Sequence, residues 1–168
     1  MFRHTTALVA VLLLAAATGF AQQAKPHSGT LVVVFDPAKP LTLKPEDLAS
    51  MPRTSVKMES EGREVVYDGV LVGELLKRAA APVGRELRGD NVGSYVVASA
   101  SDGYRALFSL AELDPAFTGS QVMVADKVDG KPLFAYQGPF RIVAPQDLAG
   151  ARSIRMLERI EVVRLPKP

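Results

Sequence analysis

The pattern of apolar and polar positions predicts a chain with more strands than helices. Short runs rich in Val, Ile, Leu and aromatic residues recur along the sequence, separated by Gly, Pro and Asp positions that break regular structure. Strands are predicted at residues 30–35, 41–43, 54–58, 64–67, 95–100, 104–108, 122–125, 140–144 and 160–165. The Asp102-Gly103 pair joins two of these runs and is typical of a tight β-hairpin.

Helical spacing is clearest in one segment, residues 70–81, where leucines recur on one face until Pro82. A second short helix is predicted at residues 110–117, because Ser109 and Glu112 form a capping-box pattern before it. One helical turn is predicted at residues 45–49. Since strands and helices do not alternate regularly, we predict an α+β fold, as one mixed, strand-rich domain.

The first 21 residues have the features of a secretory signal peptide. A short segment with Arg3 and His4 precedes the apolar run 7–17, and small residues end at Ala21. The apolar run is shorter than the roughly 20 residues of a membrane span. We therefore predict a signal peptide at 1–21, a flexible lead-in at 22–29 and one domain at 30–168. The expected location is periplasmic or secreted, with no membrane span after cleavage.

Composition and charge exclude several classes of function. The chain has 20 basic and 18 acidic residues, and they are interspersed, so we expect no nucleic-acid partner. It contains no cysteine, which excludes disulfides, thiolate-bound zinc, iron–sulfur clusters and cysteine nucleophiles. Its two histidines, His4 and His27, precede the predicted domain, so a Ser–His–Asp triad is not expected there.

The richest candidate chemistry lies in the last third of the chain. A glycine-led turn presents two arginines and a hydroxyl, with Gly150, Arg152, Ser153 and Arg155 close in sequence. Arg141 precedes them in a strand that we expect to be half-buried. Guanidinium groups donate paired hydrogen bonds to phosphate or carboxylate oxygens, so these five residues are candidates for an anion site.

The same arginines have a simpler interpretation, which the sequence leaves open. Exposed arginines are common, and here they would pair with nearby carboxylates. The candidate acidic partners in the sequence are Asp147, Glu158 and Glu161.

Residues 138–145 and 150–157 together resemble the C-terminal part of the molybdopterin-binding domain of sulfite-oxidase-type oxidoreductases. Weaker similarities at residues 67–70, 100–104 and 129–133 extend the resemblance over most of residues 41–163. The resemblance implies that fold. It also implies that the Gly-Ala-Arg-Ser turn holds the phosphate of the pterin cofactor, with Arg141, Gly150, Arg152, Ser153 and Arg155 as cofactor-binding residues.

The resemblance also implies a difference from the catalytic members, in which a cysteine thiolate binds molybdenum. Residues 56–62 occupy that place here, and they include no cysteine. The favoured hypothesis is a non-catalytic or accessory domain that binds a small anionic molecule in the pterin cleft, with a redox or accessory protein as partner. The sequence does not identify the cofactor, although the resemblance implies molybdopterin.

Two alternatives remain at this point. One is an active oxidoreductase that binds molybdopterin without a protein thiolate, since the cofactor itself supplies sulfur ligands. The other is a structural or interaction domain whose cleft is closed by side chains.

Overall fold

The structure is a computed structural model, and it describes residues 29–60 and 62–166. The predicted signal peptide and residues 22–28 of the predicted lead-in lie outside the described residues. The strands are β1 (Leu31–Val34), β2 (Leu41–Leu43), β3 (Thr54–Ser60), β4 (Arg63–Leu71), β5 (Tyr95–Ala100), β6 (Arg105–Ser109), β7 (Met123–Val128), β8 (Lys131–Pro132), β9 (Arg141–Val143) and β10 (Leu157–Val163). The α-helices are α1 (Pro45–Leu48) and α2 (Val72–Arg78).

The strands form two sheets. The first has the order β2-β1-β10-β5-β6, in which β1 and β10 are parallel and the other neighbours are antiparallel. The second has the order β3-β4-β7-β8, and β9 also pairs with β7. All pairs in the second sheet are antiparallel. Strand β6 therefore lies at one edge of the first sheet.

The main hydrophobic core draws buried side chains from both sheets and from α2. Leu75 and Leu76 of α2 are fully buried in it. Burying a leucine side chain contributes roughly 1.5–3 kcal/mol relative to leaving it exposed. Alternate residues of β5, among them Val96 and Ala98, also point into this core, as the period of a strand requires.

A second, smaller cluster lies on the opposite face of the second sheet. On β7, Val124 belongs to the main core, whereas Met123 and Ala125 belong to the smaller cluster. On β9, Ile142 and Val143 divide in the same way. Side chains that alternate along a strand point to opposite faces. The second sheet is therefore covered on both faces, and Arg141, two residues from Val143, lies on the face of the smaller cluster.

The predicted α+β, strand-rich fold is confirmed, and each predicted strand has a counterpart in the structure. The predicted helix at 70–81 is shorter, because Val70 and Leu71 pair with β7 as the end of β4. The Asp102-Gly103 turn joins β5 to β6 as expected, with Gly103 at a φ of 88°.

The predicted helix at 110–117 is wrong. Only a 3-10 turn forms, at Ala111–Leu113. The capping box is nevertheless present, since Ser109 Oγ accepts from the Glu112 N–H at 3.1 Å and Glu112 Oε2 accepts from the Ser109 N–H at 3.1 Å. Asp114 then accepts a hydrogen bond from the Ala116 N–H at 2.9 Å, a local bond that competes with helix continuation.

Within the described ranges, we find no helix with the length and apolar character that crossing a membrane requires.

Candidate functional site

The glycine-led turn of the last third folds as a 3-10 turn, Gly150–Arg152, between β9 and β10. Two contacts fix its position. Tyr104 Oη, on the residue immediately before β6, donates to the Ala151 carbonyl oxygen at 2.8 Å. The Ile142 N–H on β9 donates to the Ile154 carbonyl oxygen at 2.8 Å. The turn therefore connects the edge of the first sheet to the second sheet.

Arg152 binds two carboxylates of its own chain. Its Nε and Nη2 donate to the two carboxylate oxygens of Asp147 at 2.8 and 2.7 Å, and its Nη1 donates to Glu112 Oε1 at 2.6 Å. The guanidinium carbon lies 4.7 Å from the ring centroid of Phe108. The hydrogen bond to Asp147 raises the pKa of Arg152 and Glu112 adds to this, against partial burial. Arg152, which the sequence predicted to bind an external anion, is thus already paired with two carboxylates of its own chain.

Ser153 is buried, and its hydroxyl is used within the fold. Its Oγ accepts from the Ala144 N–H at 3.1 Å and donates to Met58 Sδ at 3.9 Å. Met58 lies on β3, within residues 56–62, where the resemblance implies a cysteine in catalytic proteins. The neutral thioether of Met58 therefore contacts the turn.

Arg141 is more deeply placed than the sequence predicted. We expected a half-buried strand, but all three residues of β9 are buried and Arg141 is 4 % exposed. Its strand neighbour on β7 is Ala125, which in turn pairs with Gly69 on β4. These small residues leave room for the long side chain, and Arg141 Nη1 donates to Tyr67 Oη on β4 at 2.7 Å. The guanidinium carbon lies 4.7 Å from the ring centroid of Tyr67.

The charge of Arg141 has no carboxylate partner among the described residues. Its Nε is buried without a hydrogen-bond partner in that same part of the chain. Burial lowers the pKa of Arg141, the positive charge of Arg155 lowers it further, and Tyr67 and Tyr136 oppose both effects. A buried guanidinium held by one phenol is an unusual and costly arrangement.

Arg155 lies beside this group on the segment that leads into β10. Its guanidinium carbon is 5.3 Å from the ring centroid of Tyr136, whose ring stacks on Phe134 at 5.7 Å. The next residue, Met156, has a φ of 51°, a left-handed conformation that non-glycine residues seldom adopt. Met156 N–H donates to the Gln137 carbonyl oxygen at 2.7 Å, which ties this segment to the loop that carries Tyr136.

A groove borders the Arg155 segment. It has a volume of about 400 Å³, and its walls come from Met156, from residues of the 132–139 loop, and from Pro45 and Asp126. Most of these wall residues are apolar, including Leu133 and Pro139.

The structure thus divides the five predicted site residues. Arg141 and Arg155 lie close together, near Tyr67 and Tyr136. Arg152 instead contacts Asp147, Glu112 and the ring of Phe108. Ser153 connects the turn to β3, and Gly150 begins the turn, where nothing lies within 4 Å of a Cβ built on it.

A family model described as the oxidoreductase molybdopterin binding domain matches residues 19–168. The chain belongs to this family. No curated protein matches it in sequence. Among solved structures, it is similar to the sulfane dehydrogenase SoxCD from Paracoccus pantotrophus, with 22 % identity and a TM-score of 0.60. That match covers 81 % of this chain and 38 % of the SoxCD chain. This chain therefore spans well under half the length of the SoxCD chain that it matches.

The residues present do not fit a molybdenum centre of the thiolate-bound type. The chain has no cysteine, and the sulfur that reaches the turn is the thioether of Met58. A thioether is neutral and cannot replace the charge of a thiolate ligand. Among the described residues, no three His, Cys, Asp or Glu side chains group as metal ligands. The donor set of this family member therefore offers no protein ligand of the expected kind.

Sequence reasoning did not include Tyr67, Tyr136 or Met58 in the site. Tyr67 had a signal, because it opens the 67–70 segment that resembles the family. Met58 had one too, because it lies in residues 56–62, which occupy the place of the cysteine. The residue type of Tyr136 gave none, since a lone tyrosine is most often a packing residue.

Proposed function

We propose that this chain is an exported, non-catalytic member of the molybdopterin-binding domain family that binds a small anion through Arg141 and Arg155. The observation that carries the proposal is the buried guanidinium of Arg141, which lacks a carboxylate partner among the described residues. An uncompensated buried charge costs several kcal/mol in a folded protein. Groups that reduce stability in this way concentrate at binding sites.

Two further features support an anion as the ligand. The pKa of Arg141 is lowered by burial and by the nearby charge of Arg155, so a negative ligand would relieve both effects. The exposed rings of Phe134 and Tyr136 stand beside Arg155 and offer a planar surface to a ligand that also carries an aromatic group.

We expect inorganic phosphate to stabilise the wild-type protein and Arg155→Gln to weaken phosphate binding about tenfold, the effect of losing one charge-assisted interaction of about 1.4 kcal/mol. Isothermal titration calorimetry and thermal unfolding would measure this. Phenyl phosphate, which adds a ring, should bind more tightly than phosphate if Phe134 and Tyr136 contribute.

Arg159→Gln is the matched control. Arg159 lies four residues further along, and its Nε donates to Glu161 on the same strand at 2.9 Å. It should leave phosphate binding unchanged. Equal losses in the two variants, or no binding by the wild type, would reject the anion site.

The proposed export and the proposed non-catalytic role are tested separately, by the N-terminus of the mature protein and by its molybdenum content. The apolar run and the small residues before Gln22 support cleavage after Ala21, and the lack of cysteine supports a protein without bound molybdenum. Protein isolated from its native compartment should have the intact mass of a chain that begins at Gln22. Elemental analysis of the same protein should find no stoichiometric molybdenum. A full-length mass would contradict export, and one molybdenum per chain would contradict the non-catalytic role.

A further inference from the structure

Arg152 is surrounded by negative charge that comes from the chain itself. Asp147 accepts from Nε and Nη2 in the parallel, two-bond geometry by which a guanidinium also holds a phosphate. Glu112 accepts from Nη1, and the Leu107 carbonyl oxygen lies 3.4 Å from the same nitrogen. Four hydrogen bonds within the chain therefore engage a group that has five N–H donors.

These ion pairs are partly shielded from water. The side chains of Arg152, Glu112 and Asp147 are 37 %, 29 % and 19 % exposed. Their positions are set by elements far apart in the sequence, since Glu112 follows β6 and Asp147 follows β9. A phosphate that approached Arg152 would meet two carboxylates before it met a free donor, and like charges at that distance repel it.

The same bonds cover the free edge of the first sheet. Strand β6 has β5 on one side, and its other side carries the Leu107 carbonyl and the Ser109 N–H. The first group accepts from Arg152 and the second donates to Glu112 at 3.1 Å. Uncovered edge groups next to an exposed apolar side chain favour pairing with another chain, and Leu107 is 58 % exposed.

We infer that the carboxylates of Glu112 and Asp147 occupy the anion-binding position, or seat, at the guanidinium of Arg152. The Gly150–Ser153 turn therefore covers the free edge of β6. This turn, which resembles the phosphate-binding turn of the family, binds phosphate only when the two carboxylates are neutralised. This inference does not depend on anion binding at Arg141 and Arg155, which contact Tyr67 and Tyr136 instead.

A phosphate titration followed through arginine side-chain Nε–Hε resonances tests the inference in the wild type and in one variant. In wild-type protein the Arg152 resonance should not shift, and Arg152→Gln should bind phosphate within twofold of wild type. A shift at Arg152, or loss of wild-type phosphate binding in Arg152→Gln, would overturn the inference.

Neutralising the seat tests it in the other direction. In an Arg155→Gln background, in which the binding proposed above is already weakened about tenfold, Glu112→Gln with Asp147→Asn should raise phosphate affinity at least tenfold over that background. Adding Arg152→Gln should abolish that gain. A variant with a wild-type circular dichroism spectrum and no gain in phosphate affinity would show that Arg152 cannot bind phosphate even without the carboxylates, which would overturn the inference. Because the background lacks Arg155, failure of the Arg141–Arg155 site and failure of this inference give different results.

Discussion

Replacing Gly69 with alanine is expected to lower the free energy of unfolding by about 3 kcal/mol or more, the upper range for overpacking a well-packed site. A Cβ at this position would lie 2.0 Å from the Val124 carbonyl oxygen and 2.7 Å from the Ala125 Cα. Both are backbone atoms of β7, which cannot move aside as a flexible side chain would. The register between β4 and β7 also shifts beside Gly69, so the two backbones approach closely there.

Urea denaturation followed by circular dichroism would measure this loss. Gly150→Ala is the control, because nothing lies within 4 Å of a Cβ at Gly150 and its φ is not in the left-handed region. The control should change stability by less than about 0.5 kcal/mol, as surface substitutions usually do. If Gly69→Ala is as stable as wild type, the close approach of β4 and β7 is incorrect.

The role of Gly69 shows how far the sequence predicts the fold. Alternating apolar residues placed the strands well, since each must bury one face. The turn at Asp102-Gly103 was also predictable, because it depends on local backbone chemistry. The pairing of Gly69 with Ala125 was not, because it joins strands more than 50 positions apart, and no local pattern encodes which strands meet.

The candidate site shows the same limit. The sequence could place Arg152 in a turn and name Asp147, five residues away, among its alternative partners. It gave no sign that Glu112, 40 residues away, would reach the same guanidinium. Likewise, Arg141 and Tyr67 are 74 residues apart. Resemblance to the family indicates which segments to compare, whereas tertiary structure decides which of their charges are already neutralised.

The second large expected effect is on stability, and it comes from Arg141, whose charge no carboxylate among the described residues neutralises. Arg141→Met combined with Tyr67→Phe should raise the free energy of unfolding by about 1–3 kcal/mol, because well-packed apolar groups often replace buried charges at a gain. Methionine retains much of the length of the arginine stem and fills irregular space. The same double variant should lose phosphate binding. A site under selection for stability alone would not keep the guanidinium.

The single variant Arg141→Met separates the contributions. It leaves the Tyr67 hydroxyl buried without its donor, which costs about 1–3 kcal/mol, so the single variant should be less stable than the double variant. Chemical denaturation of the wild type, both single variants and the double variant would measure the coupling between the two side chains. If the double variant is clearly less stable than wild type, the Arg141–Tyr67 pair holds the fold together. The buried charge would then need no ligand to explain it, and the anion site would lose its main support.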